Sequence, residues 1–343
     1  MSAIRTFVDL LAGRREAAAL APREWDGVIS VARAEAMLAT LAHRLEGADL
    51  PPTVAALFAD QRSAAVVAQA QSLWEAEMAR RALASERIEF VLLKGTAYAA
   101  AGLSCAEGRQ IGDLDILVLV SDIGRAENEL LEAGWEWVKS DPYDDAYYRE
   151  HMHELPPLIH KARDRMIDVH HTILPRTHRV TPDPLIMMAE SVETPTGFRV
   201  LSPPAMACHC AAHLLADGDL QGGLRNLWDF HRLVTDFLTD DTDFYLSLIE
   251  EASTHGLADV VKRALRLSHR LYDTPLKTYS WPLKLDYHRE PSDDLFIRRL
   301  LARDDWGHAT NFTLQQAFYI RSHWLRMPPL MLSRHLWTKW RKR

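Results

Sequence analysis

Two aspartates, two positions apart, are the residues in this sequence best suited to chemistry. The run DLDILV begins at Asp113 and predicts a β-strand, so Asp113 and Asp115 share one of its faces. Buried carboxylates are costly unless they are paired or bound to cations, and neighbouring carboxylates also repel each other. A divalent cation removes both costs, and Mg²⁺ prefers carboxylate oxygens together with substrate phosphates. The spacing predicts a site for metal-assisted phosphate chemistry; the alternatives are a solvated strand end or pairing with Arg109.

A glycine turn precedes this strand. The segment FVLLKGTAYAAAG predicts a short strand, a turn at Lys94, Gly95 and Thr96, and then a helix. Backbone N–H groups at a glycine turn that opens a helix bind phosphate, helped by the helix dipole. Lys94 and Arg109 add cationic side chains that suit phosphate. The turn is therefore a candidate phosphate site, although both cations could instead pair with the aspartates and Thr96 could merely cap its helix.

A third carboxylate is expected from a later strand. The segment RMIDVHH alternates apolar and polar residues, so Asp168 and His170 share a face while Ile167 and Val169 point the other way. An acid flanked by β-branched residues in a strand suits a third metal ligand or a general base. The alternative is that Asp168 only forms part of the polar face of an edge strand. Glu154, in the less regular segment HMHELPP, is the second candidate for this role.

The order of elements around these residues predicts an α+β fold. Residues 86–175 read as strand, helix, strand, helix and strand, which indicates a compact core with a small mixed sheet. Residues 1–85 are rich in helix formers and predict a helical N-terminal domain. Residues 176–327 predict a helical C-terminal domain, in which one last strand in GFRVLSPP leads into the main run of helices. Residues 328–343 predict a separate tail helix.

The composition indicates a soluble globular protein. Its 343 residues are enough for two or three packed units, and 48% of them are hydrophobic and 25% charged. No apolar run reaches the roughly 18 residues of a spanning helix, and the N-terminus lacks the pattern of a signal peptide. Three cysteines are too few for a disulfide scaffold. We therefore expect a cytoplasmic protein with reduced thiols.

The basic end of the chain predicts an anionic partner. The net charge is −7, yet residues 306–343 hold seven Lys or Arg and no acid, which leaves −14 on the rest. After two prolines, LMLSRHLWTKWRKR predicts an amphipathic helix with leucines and tryptophans on one half and basic residues on the other. This composition suits binding to an anionic membrane, which would place the protein at the inner membrane surface, or binding to a polyanion. Alternatively, the apolar half packs against the protein itself.

Two helical segments beyond the core also carry polar residues. The segment ACHCAAH holds four residues of the zinc-ligand type, which are Cys208, His209, Cys210 and His213. The two cysteines diverge on a helix, so a buried core helix is the favoured interpretation, with a histidine facing the cleft as the alternative. The segment LRNLWDFHRLV places Arg225 four residues before Asp229, which predicts a helix-surface ion pair. Contact of Asp229 with a base or an acceptor is the alternative.

The segments LLKGTAYAAAG and RQIGDLDILV resemble the nucleotidyltransferase superfamily that shares its catalytic core with DNA polymerase β. They are most similar to a bacterial branch whose motif runs K-G, then R, then D-x-D-x-L-V, and whose members often accompany polysaccharide-export or peptide-sorting systems. The resemblance implies that Gly95 and Thr96 hold a nucleoside triphosphate (NTP). It also implies that Asp113 and Asp115 bind Mg²⁺ or Mn²⁺ and that a later strand supplies a third carboxylate. Gly95-Thr96 stands where the superfamily usually has Gly-Ser.

These observations predict a Mg²⁺-dependent nucleotidyltransferase that moves NMP from an NTP to a hydroxyl acceptor and releases pyrophosphate. Lys94, Gly95, Thr96 and Arg109 would bind the triphosphate. Asp113 and Asp115 would bind the metal ions, and Asp168 would complete the metal site and help to deprotonate the acceptor. The alternatives are a non-catalytic nucleotide-binding or regulatory protein and a membrane-associated scaffold of an export system. The sequence leaves the acceptor and the nucleotide open.

Overall fold

A mixed sheet carries the strands on which the aspartates lie. The computed structural model describes residues 2–138, 142–276 and 290–327, without the side chains of residues 142–144. Within these residues the sheet has seven strands in the order β3-β4-β5-β2-β1-β7-β6. In chain order the strands are β1 (Val91–Leu92), β2 (Asp113–Leu117), β3 (Trp135–Trp137), β4 (Leu158–His160), β5 (Met166–His170), β6 (Val192–Glu193) and β7 (Arg199–Val200). The tail helix predicted over residues 328–343 lies outside the described residues.

Strands β2 and β5 form the centre of the sheet and pair in parallel. Their register sets Asp115 opposite Asp168. The apolar residues between the acids, such as Leu114, Ile116 and Ile167, are buried, as expected for strands covered on both faces. Strand β1 pairs antiparallel with β2, and β7 pairs in parallel with β1. The sequence pattern of apolar residues therefore holds the acid-bearing strands in the interior of the fold.

Among the described residues, four α-helices precede the sheet, in the segment whose composition favours helices. They are α1 (Ala3–Leu11), α2 (Pro22–Ala34), α3 (Leu38–Arg44) and α4 (Pro52–Leu83). Helix α4 is 32 residues long because it starts with a proline at its first turn and contains no further proline or glycine. It packs against α3 and also touches β2 and two helices of the core, so it links the N-terminal helices to the sheet.

The remaining helices lie around and after the sheet. Those between the strands are α5 (Lys94–Ala100), α6 (Ile123–Glu132), α7 (Pro142–His151) and α8 (Pro184–Ala189). Those after the last strand are α9 (Pro203–Ala212), which continues as a π-helix over His213–Asp217, then α10 (Gly223–Asp240), α11 (Phe244–Thr254), α12 (Ala258–Tyr272), α13 (Asp293–Leu300) and α14 (Phe312–Arg326). Among the described residues, no helix combines the length and apolar character that a membrane crossing requires.

The α+β fold class is confirmed. The predicted strand in GFRVLSPP is present as β7, and it joins the sheet through β1. A hairpin from beyond residue 175 therefore completes the sheet of the core. Buried apolar side chains from the N-terminal helices, the sheet and the C-terminal helices belong to one hydrophobic cluster. The division of the chain into domains stays a prediction.

Candidate active site

Three carboxylates meet on one face of the central strands. Asp113, Asp115 and Asp168 each place a carboxylate oxygen within 4.8 Å of the other two. The pairing of β2 with β5 explains this arrangement, because Asp115 and Asp168 are partners in the register and Asp113 lies two residues away on the same face. Asp113 is exposed, Asp168 is half-buried and Asp115 is only 3% exposed. The cluster therefore extends from the protein surface into the core.

Asp115 has two partners at one of its oxygens. Lys94 Nζ donates a hydrogen bond of 2.6 Å to Asp115 Oδ1, and His170 Nε2 lies 2.9 Å from the same atom. Burial alone would raise the pKa of Asp115, but the Lys94 charge and the His170 hydrogen bond outweigh it and hold that pKa well below its usual range. Asp115 is therefore ionised, and its Oδ2 takes part in neither contact.

The pKa values of the other acids around Asp115 are raised. Burial, and then the negative charge of Asp115, raises the pKa of Asp168 to about 7. The same two causes raise the pKa of Asp113. Burial and the charge of Asp168 raise the pKa of Glu154 to about 8. Because one lysine cannot neutralise all these carboxylates, the site favours added positive charge, and its oxygen ligands are those that Mg²⁺ or Mn²⁺ prefers.

The glycine turn lies next to this cluster. Helix α5 begins at Lys94, whose φ of +48° is a left-handed value that non-glycine residues seldom adopt. The backbone N–H of Leu93 donates to the carbonyl of Asp115 at 3.0 Å, which fixes the turn to β2. Thr96 is buried, and within the described chain its hydroxyl has no hydrogen-bond partner. The interpretation of Thr96 as a helix cap was wrong, because the helix starts two residues earlier.

The chain matches a protein-family model over residues 21–273, and the family is described as an uncharacterised nucleotidyltransferase. This match includes most of the chain, the whole acid cluster and the glycine turn. The chain belongs to this nucleotidyltransferase family. Among curated proteins, none matches it. The family supports the transferase class, and the acid cluster agrees with the divalent metal that such enzymes use.

In this nucleotidyltransferase-family chain, Arg109 contacts the glycine turn rather than the acid cluster. Its guanidinium forms an ion pair with Asp229 of α10. Its Nε lies beside Gly95, where an added Cβ would come within 2.7 Å of that nitrogen. Asp229 also lies 3.3 Å from Arg225 and is 1% exposed, so the predicted helix-surface pair was wrong: the pair is buried. The expectation that Arg109 binds nucleotide stays a prediction, and this ion pair favours a supporting role.

Sequence reasoning missed the role of His170 in this family member. The strand pattern placed His170 on the face of Asp168, but only the register of β5 against β2 brings it to Asp115. Glu154, the second candidate for the third carboxylate, lies 3.5 Å from His170 Nε2 and is not one of the three aspartates that meet in the cluster. The third acid of the described cluster is therefore Asp168. The sequence did hold one signal for this role: His170 follows the candidate ligand Asp168 by two residues in a strand, so the two side chains share a face.

The segment ACHCAAH forms the buried helix α9, as favoured from its composition. Cys208 and Cys210 are free and buried, and neither belongs to a group of metal-ligating side chains in the described residues. Burial, followed by the charge of Lys94, lowers the pKa of both His209 and His213. Both imidazoles are therefore neutral and lie within electrostatic range of Lys94. The alternative that a histidine of this segment faces the cleft stays open.

Proposed function

We propose that this protein is a Mg²⁺-dependent nucleotidyltransferase that moves NMP from an NTP to a hydroxyl acceptor. The observation that carries this proposal is the meeting of Asp113, Asp115 and Asp168 on one face of β2 and β5. Membership of the nucleotidyltransferase family supports the reaction class. The raised pKa values of Asp113 and Asp168 support a cation site, because burial and the negative charge of Asp115 raise them and the charge of Lys94 does not offset both.

The three aspartates would hold the metal ions. Mg²⁺ or Mn²⁺, when bound, neutralises the charge of the triphosphate and lowers the pKa of the attacking hydroxyl. Asp115 offers its Oδ2, because both of its protein partners use Oδ1. Asp168, opposite Asp115 in the register, would accept the proton of the acceptor hydroxyl. Asp113 would supply a further carboxylate oxygen to the same cation site.

The glycine turn would bind the triphosphate. Lys94 would exchange its contact with Asp115 for one with the phosphates once cations neutralise the acids, and Thr96 offers a hydroxyl that has no other partner among the described residues. Gly95 gives the backbone room for close approach. Arg109 would support this turn through its contact with Gly95.

The reaction would be an in-line displacement. The acceptor oxygen forms a bond to the α-phosphorus, the bond from that phosphorus to the β-phosphate oxygen breaks, and pyrophosphate leaves with the electron pair. The acceptor's proton goes to Asp168. Positioning and neutralisation of charge would supply most of the rate enhancement.

A direct assay tests this proposal. The protein is incubated with each α-labelled NTP, Mg²⁺ and cell extract, and transfer of label to a macromolecule or metabolite is measured. We expect transfer by the wild type and none by Asp113→Asn/Asp115→Asn. Asp164→Asn is the matched control, because Asp164 is exposed in the turn between β4 and β5 and has a left-handed φ that asparagine tolerates.

The outcomes separate the alternatives. Transfer that survives Asp113→Asn/Asp115→Asn would refute the mechanism. NTP binding by the wild type without transfer to any extract would favour a non-catalytic nucleotide-binding protein, although Asp168 beside Asp115 supports an enzyme. The membrane-associated alternative depends on residues 328–343, and liposome co-sedimentation with and without these residues tests it. An anionic membrane or a polyanion is the proposed partner of this basic segment.

A further inference from the structure

A second group of metal-ligating side chains lies beside the acid cluster, and nucleotidyl transfer as proposed does not use it. His153, Glu154 and His170 each place a ligand atom within 4.8 Å of the other two. His153 is 7% exposed and His170 1%, while the side chain of Glu154 is 16% exposed. Unlike the three aspartates, this group combines two imidazoles with one carboxylate. Its chemistry is therefore different from that of the Mg²⁺ site.

The distances within the group are those of metal ligands rather than of hydrogen bonds. Nε2 of His153 and Nε2 of His170 each lie 3.5 Å from Glu154 Oε2. Hydrogen bonds between nitrogen and oxygen are usually about 2.7–3.2 Å long. Two ligand atoms on a tetrahedral Zn²⁺, with bonds of about 2.0–2.1 Å, lie about 3.3–3.4 Å apart. The two imidazoles thus surround the Glu154 oxygen at the spacing of a shared ion.

The other ring nitrogens of the two histidines are buried as well. Nδ1 of His153 and Nδ1 of His170 have no hydrogen-bond partner within the ranges described. These are not the Nε2 atoms that approach Glu154, so they do not themselves mark the position of an ion. Hydrogen bonding of Nδ1 therefore does not explain the burial of either imidazole, and the approach of both Nε2 atoms to Glu154 is the contact that needs an explanation.

We propose that His153, Glu154 and His170 bind a transition-metal ion of the Zn²⁺ class next to the aspartate cluster. Two imidazoles and one carboxylate form a ligand set that suits Zn²⁺ and leaves a fourth position for water or a substrate oxygen. His170 is shared between the two sites, because its Nε2 also lies 2.9 Å from Asp115 Oδ1. His170 Nε2 cannot bind an ion and keep its hydrogen bond to Asp115 at the same time. Binding of an ion at one site should therefore change the affinity of the other site, and this coupling is reciprocal. The proposal does not depend on nucleotidyl transfer.

The test is Zn²⁺ binding by the full-length chain at saturating Mg²⁺, measured by calorimetry after removal of metal. We expect one tight Zn²⁺ site in the wild type and an affinity weaker by on the order of 100-fold or more in Glu154→Gln and His153→Ala, because the loss of a direct ligand should cost no less than the loss of an outer-shell partner. Glu154→Gln is the decisive variant because it keeps the size of the side chain. Substitution by Co²⁺ gives a second readout, the visible absorption of a four-coordinate ion.

Two further variants control the site of binding. His308→Ala removes a histidine whose side chain is 79% exposed, and we expect unchanged Zn²⁺ affinity. Asp113→Asn alters the acid cluster and should also keep the Zn²⁺ site. Thermal unfolding checks that each variant is folded. The proposal is overturned if the wild type binds no Zn²⁺, if folded Glu154→Gln binds it as tightly as the wild type, or if Asp113→Asn alone abolishes binding.

Discussion

Lys94 Nζ lies 2.6 Å from Asp115 Oδ1, so a half-buried ammonium already neutralises the innermost carboxylate of the cluster. Burial alone would lower the pKa of Lys94, but the charge and hydrogen bond of Asp115 outweigh it and raise that pKa above its usual value. Both groups are therefore charged. The unusual φ of Lys94 directs its side chain to this carboxylate at some conformational cost. Lys94 thus acts as the internal counter-ion of the cluster, in competition with any added cation.

We expect Lys94→Met to destabilise the metal-free protein and to make it dependent on Mg²⁺. The substitution leaves Asp115 charged and buried without its ammonium, a change that typically costs about 3–5 kcal/mol. Mg²⁺ should restore part of this loss by binding the uncompensated acids. Urea unfolding with EDTA and with Mg²⁺, compared for wild type and variant, measures both effects.

Lys161→Met is the control for that experiment. Lys161 is also a lysine with an acidic neighbour, but its side chain is 61% exposed and lies 3.9 Å from Glu136. Exposed pairs of this kind contribute about 0–1 kcal/mol, so the control should unfold like the wild type. Equal stability of Lys94→Met and wild type in EDTA would mean that Lys94 is not the counter-ion.

We expect Gly95→Ala to weaken both the fold and NTP binding. The added Cβ would lie 2.7 Å from Arg109 Nε and 3.2 Å from Ile111. Arg109 cannot easily move away, because its guanidinium is paired with the buried Asp229. Overpacking of this kind costs about 1–3 kcal/mol. Thermal unfolding and titration with a fluorescent NTP analogue measure the two effects.

Gly124→Ala provides the comparison for this change. Gly124 lies in α6, and an added Cβ there meets nothing within 4 Å in the described residues. Alanine is the better helix former, so this variant should be as stable as the wild type or up to about 1 kcal/mol more stable. If both glycine variants behaved alike, close packing at Gly95 would not explain why a glycine is needed in the turn.

The acid cluster was predictable because its signal is local. Alternation along β2 fixes the common face of Asp113 and Asp115, and the same pattern in RMIDVHH selects Asp168. The seven strands of the sheet were only partly predictable, since β4 and β6 are two or three residues long and gain their stability from neighbouring strands.

The partners of these residues were not predictable, because they come from distant segments. Arg109 is 120 residues away from Asp229, and the sequence offered nearer aspartates as its partners. His170 reaches Asp115 only through the register of two strands whose residues are 55 positions apart. Thr96 looked like a helix cap because threonine often is one, yet the helix begins at Lys94. Tertiary packing, rather than local preference, decided each case.

We expect Asp229→Asn to be strongly destabilising. Asp229 is the counter-charge of Arg109 and Arg225, and the side chains of all three are at most 15% exposed. Removing one partner of a buried ion pair leaves uncompensated charge and typically costs about 3–5 kcal/mol. Urea unfolding at neutral pH measures the loss.

Asp145→Asn is the matched control for Asp229→Asn. Asp145 also pairs with an arginine, Arg149, but its side chain is 41% exposed, so the change should be within about 1 kcal/mol of neutral. If Asp229→Asn lost as little stability as the control, the buried ion pair of Asp229 in α10 with Arg109 beside the glycine turn would not be important for the fold.

A pH-dependent contribution to stability is expected from Asp293 at the start of α13. Its carboxylate is fully buried and accepts hydrogen bonds from Arg266 at 2.6 and 3.2 Å and from Arg263 at 3.1 Å. Burial alone would raise the pKa of Asp293, but the two arginines outweigh it and lower that pKa below its model-peptide value of 3.8. A carboxyl whose pKa is lower in the folded state stabilises the fold above its unfolded pKa and loses this effect as the pH falls through the folded one.

We therefore expect Asp293→Asn to be less stable than the wild type by about 3 kcal/mol at pH 7. This difference in stability should shrink below pH 4, because the wild-type carboxyl then takes up its proton. Urea unfolding of both proteins between pH 7 and pH 3 measures this difference, in which the titration of all other groups cancels. Asp294→Asn, at the next residue and in a more exposed pair with Arg270, should show a small difference at every pH. A difference between Asp293→Asn and the wild type that stays constant down to pH 3 would show that the stabilisation does not come from the ionised carboxylate.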